Sequence, residues 1–132
     1  PLMIRDPDHR PGRTAALTEH VDLYPTLCDL ADLPRPGHWL EGTSALPQLA
    51  DPRRPGKPAV LSQCRCGEDM GFSLRTARYR YTRWVGADGT AEHEELYDYH
   101  ADPLETTSVA ADGRYASPLA ELRASLDRYM HP

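Results

Sequence analysis

The sequence predicts an α/β chain in two parts, residues 1–58 and 59–132, and three observations carry that prediction. Leu23, Leu27, Leu30 and Ala31 fall at i, i+4, i+7 and i+8, one apolar face of a helix in the first part. A breaker run from Asp51 to Pro58, rich in Pro and closed by Gly56-Lys57-Pro58, divides the chain. Beyond it, short β-rich runs alternate with turn signals and end in a second helical stripe. The second part is therefore expected to be a small four-stranded antiparallel sheet packed on a carboxyl-terminal helix.

Pro1-Leu2-Met3-Ile4 reads as a short buried strand, followed by a polar loop from Arg5 to Arg13. The helix is expected over Val21–Leu33. Pro25 falls within its first turn, where a missing N–H costs little, and Pro34 and Pro36 stop it. Residues 34–58 are expected to be irregular, apart from a short apolar turn over Ala45–Leu49. The strands are expected over Ala59–Gln63, Met70–Thr76, Tyr79–Val85 and Glu94–Asp98. Ala77-Arg78 supplies one tight turn and Gly86-Ala87-Asp88-Gly89-Thr90 another, of the Asp-Gly kind. A meander of this sort pairs most simply in antiparallel fashion. The last helix is expected over Pro118–Met130, with Ser117 as its N-cap and Pro118 at its first position. Its stripe of Leu119, Leu122, Leu126 and Tyr129 or Met130 needs a sheet face to cover.

Composition narrows the function. The formal net charge of -5 leaves no nucleic-acid footprint. No run approaches the roughly 20 apolar residues of a membrane span. There are 13 prolines, one Phe and one Ile, so short elements and fixed turns outnumber long periodic ones. The chain begins at Pro1 inside an apolar run, which reads as an internal boundary and not as a native start. Of the three cysteines, Cys28 reads as a small buried hydrophobe. Cys64 and Cys66 are expected on opposite faces of their strand, with no C-x-x-C or His pair to complete a metal site. His20, His93 and His100 have no triad partner at a recognisable spacing, and Trp39 and Trp84 read as packing residues.

Several segments together resemble one family. Val21-Asp22-Leu23-Tyr24-Pro25-Thr26-Leu27-Cys28-Asp29-Leu30-Ala31-Asp32-Leu33-Pro34 resembles the "VDLYPTLLDLAGLP" helix of sulfatases of the arylsulfatase and iduronate-2-sulfatase type. Those enzymes belong to the alkaline-phosphatase-like superfamily. Pro1-Leu2-Met3-Ile4-Arg5 resembles their "VPLIIR" strand, and Leu40-Glu41-Gly42-Thr43-Ser44 the segment after the helix. Ser62-Gln63, then Met70-Gly71-Phe72-Ser73-Leu74-Arg75-Thr76 and Tyr79-Arg80-Tyr81-Thr82, are similar to "SQ…MGYS.RT..YRYT". Glu95-Leu96-Tyr97-Asp98 with Asp102-Pro103-Leu104-Glu105 resembles "ELYD…DP.E". These segments stand in the family's own order. Two departures stand out: Asp32 where the family usually has Gly, and Cys64-Arg65-Cys66 in place of Tyr-Pro-Arg.

The resemblance implies the tail of a large catalytic α/β domain over residues 1–58 and a carboxyl-terminal subdomain over 59–132. It implies a sulfate-ester hydrolase, acting on a sulfated small molecule or sugar. Such enzymes carry a C/S-x-P-x-R motif matured to formylglycine, beside a calcium ion held by Asp, Asn or His; a metal next to a covalent nucleophile suits an anionic ester. None of these motifs is in this sequence. No catalytic or metal-binding residue is therefore assigned, and the chain alone is expected to be inactive. Calcium and formylglycine would belong to the full-length enzyme. The expected partner is the remainder of its own catalytic domain or a larger processed chain. The loop from Gln63 to Met70 is expected to touch substrate, through Gln63, Arg65 and Met70. Arg75, Arg78, Arg80 and Arg83 read either as an anion subsite or as the solvated basic face of a hairpin. Two other readings remain: a phosphodiester or phosphonate hydrolase of the same superfamily, and a free-standing non-catalytic α/β binding module.

Overall fold

The computed structural model describes residues 2–130, Glu92 by its backbone alone. The chain divides into two compact units, Pro1–Pro58 and Ala59–Pro132.

In the first unit a 3₁₀ turn, His20–Asp22, leads into α1, Leu23–Leu30, and a short α2 follows at Leu46–Ala50. The turn opens on a capping box in which Glu19 and Asp22 reciprocally accept each other's backbone N–H groups. Helix α1 ends three residues before the expected Leu33. Asp32 adopts φ 50°, the Leu33 N–H reaches Cys28 O at 2.9 Å and the Asp32 N–H reaches Asp29 O at 3.4 Å. This is a Schellman stop with Asp at the position that favours Gly, and an Asp tolerates it through its short polar side chain.

The apolar stripe of α1 is partly open, with Leu27 exposed and Leu23 and Leu30 half-buried. Asp22, Pro25, Thr26 and Cys28 are buried, while Leu27 and Leu33 are each 60% exposed and Val21 and Tyr24 are also open. The apolar face of α1 finds only partial cover within its own unit, and the fully buried positions are those of the polar network on the other side. The expected first strand is also absent. Residues 2–5 form no strand, Leu2 and Met3 are exposed, and Pro1 lies outside the described residues. A strand needs a hydrogen-bonding neighbour, and the described residues of this unit hold no other strand.

The second unit is a meander of β1 (Ala59–Cys66), β2 (Asp69–Thr76), β3 (Tyr79–Val85) and β4 (Ala91–Asp98), antiparallel in that order. Helix α3, Ala116–Met130, covers one face. The rung Leu61–Leu74–Tyr81–Leu96 meets Leu119, Leu122 and Leu126 from the helix, and Ala59 joins them. Each fully buried leucine contributes about 1.5–3 kcal/mol. Helix α3 starts earlier than expected, continuing from a 3₁₀ turn at Gly113–Tyr115. The cap is Asp112, whose carboxylate accepts the Arg114 N–H, and not Ser117. The outer side of β4 is closed by residues 108–109: the Leu96 N–H donates to Ser108 Oγ and the Val109 N–H to Leu96 O. Strand β1 is the other outer strand, and its residues Ser62–Cys66 are exposed.

Candidate functional site

The segment expected as an irregular loop from Gln63 to Met70 is a regular hairpin. Strand β1 runs on to Cys66 and β2 begins at Asp69, so only Gly67 and Glu68 form the turn. Gly67 supplies the positive φ of 62° that a two-residue hairpin turn demands. The correction brings the candidate residues together. Arg65 pairs with Met70 and Gln63 with Phe72, and residues two apart on a strand share a face. Gln63, Arg65 and Met70 therefore stand side by side on the face that also carries Leu61, Phe72 and Leu74. Gln63 and Arg65 are exposed and Met70 is half-buried. Arg65 Nε donates to Gly67 O at 3.1 Å, which holds the guanidinium at the turn. An amide, a guanidinium and a thioether can offer hydrogen bonds, a positive charge and an apolar contact to one polar anion.

The neighbouring rung continues Gln63–Phe72 into Arg83 and Glu94. Arg83 Nη1 bonds Asp127 Oδ1 of α3 at 2.6 Å and its Nε bonds the Tyr81 hydroxyl at 3.2 Å. Arg123 of α3 embraces Glu94, with Nε at 2.9 and 3.0 Å from the two carboxylate oxygens, and the buried Tyr81 hydroxyl donates to Glu94 as well. The Arg123 bond holds the Glu94 carboxyl below its usual range, against the opposing effect of burial. Burial, and then the bond to Glu94, push the Tyr81 phenol up. This ionic clamp fixes α3 beside the rung that carries Gln63.

The arginine cluster does not form one anion subsite. Arg75 lies over the Tyr99 ring, 3.5 Å from its centroid, and Arg80 pairs with Glu105 at 3.2 Å. Arg78 pairs with Asp98, and Arg83 with Asp127 on the other face. Alternation splits the four, and each has a partner.

The two thiols are also corrected. Cys64 and Cys66 both lie in β1, two residues apart, so they share the face opposite Gln63 and Arg65. Both are free and exposed. Across from Cys64 stand Gly71, Trp84 and His93 in one rung. Trp84 stacks on His93 with ring centroids 5.6 Å apart, and its Nε1 donates to Glu95 at 3.2 Å. Trp84 reads from the sequence as a packing residue, but its grouping with His93 and Glu95 is not read from it. Counting alternate positions outward from Leu96 and Tyr81 would have placed all three on the uncovered face. Trp39, expected to pack, is exposed.

Asp98 and Asp102 shape the turn after β4. Asp98 Oδ1 accepts the His100 N–H, while Asp102 accepts the N–H groups of Leu104, Thr106 and Thr107. Among the described residues no three His, Cys, Asp or Glu side chains come together as a metal site. The sequence holds no C/S-x-P-x-R motif.

No family model matches the chain. It is 37% identical over 115 residues to the Δ4,5-hexuronate-2-O-sulfatase of Bacteroides thetaiotaomicron, a match covering 83% of this chain and 23% of that protein. The solved structure of a 2-O GAG sulfatase superposes with a TM-score of 0.67 at 37% identity, covering 83% of this chain and 24% of the other. A phosphonate monoester hydrolase of Agrobacterium radiobacter superposes with a TM-score of 0.64 at 28% identity, over 89% and 26%. The chain thus spans about a quarter of the length of the relatives it matches. Its sheet and helix match the carboxyl-terminal regions of these larger enzymes, and the chain is a carboxyl-terminal portion of a sulfatase of the alkaline-phosphatase-like superfamily.

Proposed function

We propose that this chain completes a sulfatase that hydrolyses sulfate esters of sugars, and that it lines the substrate site without taking part in bond cleavage. The observation that carries this is the shared face of Gln63, Arg65 and Met70 at the first hairpin, on a fold that matches sulfatases. Arg65 would meet the sulfate or a uronate carboxylate of a substrate like that named for the Bacteroides relative. Gln63 would bond a sugar hydroxyl, and Met70 would pack on the ring. The nucleophile, matured to formylglycine, and the calcium ligands would lie on the remainder of the catalytic domain. Alone, residues 1–132 would be inactive.

The test is an assay of the longer gene product and of the isolated chain on 4-nitrophenyl sulfate and on a 2-O-sulfated unsaturated uronate disaccharide. The longer product should cleave the sugar, and Arg65→Ala should raise KM about ten-fold, the loss of one charge-assisted bond of about 1.4 kcal/mol. The isolated chain should cleave neither. Cleavage by the isolated chain, or an unchanged KM, overturns the reading. The phosphonate hydrolase likeness supports one other outcome, turnover of phosphonate monoesters in preference to sulfates.

A further inference from the structure

Cys64 and Cys66 are used by nothing described above. They lie two residues apart on a regular outer strand, on one face, both free and both exposed. Strand rise places their Cα atoms about 6.6 Å apart. Two metal–sulfur bonds in line, each of about 2.3 Å, span roughly 4.6 Å. Rotation about χ1 at both residues closes the difference without moving the backbone.

The surroundings select the ion. Among the described residues no third His, Cys, Asp or Glu joins a ligand group. A closed four-ligand zinc site is therefore not built here. Asp69 stands across from Cys66 but offers only a hard oxygen, so two thiolates without a third soft ligand suit a thiophilic ion that accepts linear two-coordination, and copper(I) is the ion of that kind among those that thiolates select. The cross-strand partner of Cys64 is Gly71. Cys64 Sγ and the Trp84 ring each lie 3.0 Å from the point a Cβ on Gly71 would occupy. The sulfur and the indole therefore flank the same glycine, and the tryptophan reports on the thiol.

We propose that Cys64 and Cys66 form a two-thiolate site for a linear-coordinating thiophilic metal ion of the copper(I) class. Binding converts both thiols to thiolates and releases two protons for each ion, with no change of oxidation state. Once one sulfur binds, the second is held close by at a high effective concentration, so both are needed for tight binding. The site lies on the face away from Gln63, Arg65 and Met70, and its existence does not depend on the sulfatase reading.

The experiment uses the reduced 132-residue chain without oxygen, in a Trp39→Phe background so that Trp84 is the one indole. Copper(I) is supplied as its bicinchoninate complex. The expected result is transfer of one copper per chain, with quenching of Trp84 emission and two sulfur neighbours by X-ray absorption. Cys64→Ser and Cys66→Ser should each weaken the apparent affinity at least ten-fold, with the melting temperature unchanged. Cys28→Ser should behave as the parent. Absence of transfer, transfer that survives in the double Cys64→Ser, Cys66→Ser variant, or one copper shared between two chains each overturns the proposal.

Discussion

Arg78 and Asp98 meet edge to edge, with Nε at 2.9 Å from Oδ1 and Nη2 at 2.7 Å from Oδ2. Asp98 closes β4 and is almost completely buried, whereas Arg78 sits in the turn between β2 and β3 and is half exposed. The pair therefore ties the middle turn of the sheet to the end of its last strand. The Tyr99 N–H, donating to Arg78 O at 2.9 Å, repeats the tie through the backbone.

The Arg78 bonds hold the Asp98 carboxyl below the usual carboxylate range, with the His100 N–H adding to them and burial opposing. A depressed carboxyl stabilises the fold above its unfolded pKa of about 3.9, and the contribution fades as pH falls through the lower folded value. Asp98→Asn should cost about 1–2 kcal/mol at pH 7, because one charge-assisted bond becomes a mismatched pair of donors. Urea unfolding of parent and variant should converge as the pH falls from the unfolded pKa through the lower folded one. A gap that stays constant through that fall would mean that the charge contributes nothing.

In the first unit Lys57 plays the corresponding part for Asp22. Nζ lies 2.7 Å from Asp22 Oδ1 and also reaches Glu19. The N–H groups of Thr43 and Glu19 complete the carboxylate, at 2.7 and 2.8 Å. Burial works to raise the Asp22 pKa, but the Lys57 bond and the two N–H bonds outweigh it and the net direction is down. Burial works to lower that of Lys57, and the two carboxylates outweigh it upward. The raised lysine stabilises fully below its unfolded pKa of about 10.4 and stops doing so as pH rises through the folded value. The depressed aspartate sets the acid limit, near and below pH 4. Lys57→Met should cost about 2 kcal/mol between those limits, less than a wholly buried pair because both N–H donors remain. Its alkaline unfolding limb should flatten, which a pH series of chemical denaturation measures.

Gly42 lies against the backbone of the 3₁₀ turn that this network caps. A Cβ there would sit 1.8 Å from Val21 O and 2.5 Å from its carbonyl carbon. Backbone cannot step aside as a flexible side chain can, so Gly42→Ala should cost about 3 kcal/mol or more. Amide exchange should show the loss over residues 20–45, with β1 to β4 still protected. Uniform loss across both units would contradict their separate compactness.

The sheet was legible because its signals are local. Strand β3 matches its expected bounds, Tyr79–Val85, because turn signals flank it on both sides. Leu96 is fully buried, as its place in an alternating run requires. The errors fall where the deciding partner is distant. The hydrophobic period of α1 is visible in the sequence, but its end is set by the backbone of Asp32. The hairpin at Gly67 reads as a loop in the sequence because Gln63–Glu68 is polar, and only the paired strand shows Gln63 beside Arg65 on one face and, against the expectation for the two thiols, Cys64 beside Cys66 on the other. The Trp84–His93–Glu95 group lies in the regular register before the shift at Val85, so alternation places it on the uncovered face, but the stacking of Trp84 on His93 needs the cross-strand pairing that no single strand announces.

The turn after β4 gives the last prediction. Asp102 Oδ2 accepts the N–H of Thr106 at 2.6 Å and of Thr107 at 3.0 Å, and Oδ1 accepts that of Leu104 at 3.3 Å. Those N–H bonds, led by Thr107, keep its carboxyl below the usual range. One side chain thus organises a segment whose Glu105 sits at φ 57°, a left-handed conformation uncommon for a non-glycine residue. The segment also delivers Glu105 to Arg80 and to the Tyr99 hydroxyl. Asp102→Ala should free these N–H groups to solvent. Amide exchange at Thr106 and Thr107 should accelerate at least ten-fold, while Val109, whose N–H bonds Leu96 O at 2.8 Å, keeps its protection. Protection lost equally at Val109 would show that the edge of β4, and not the Asp102 carboxylate, governs the order of the segment.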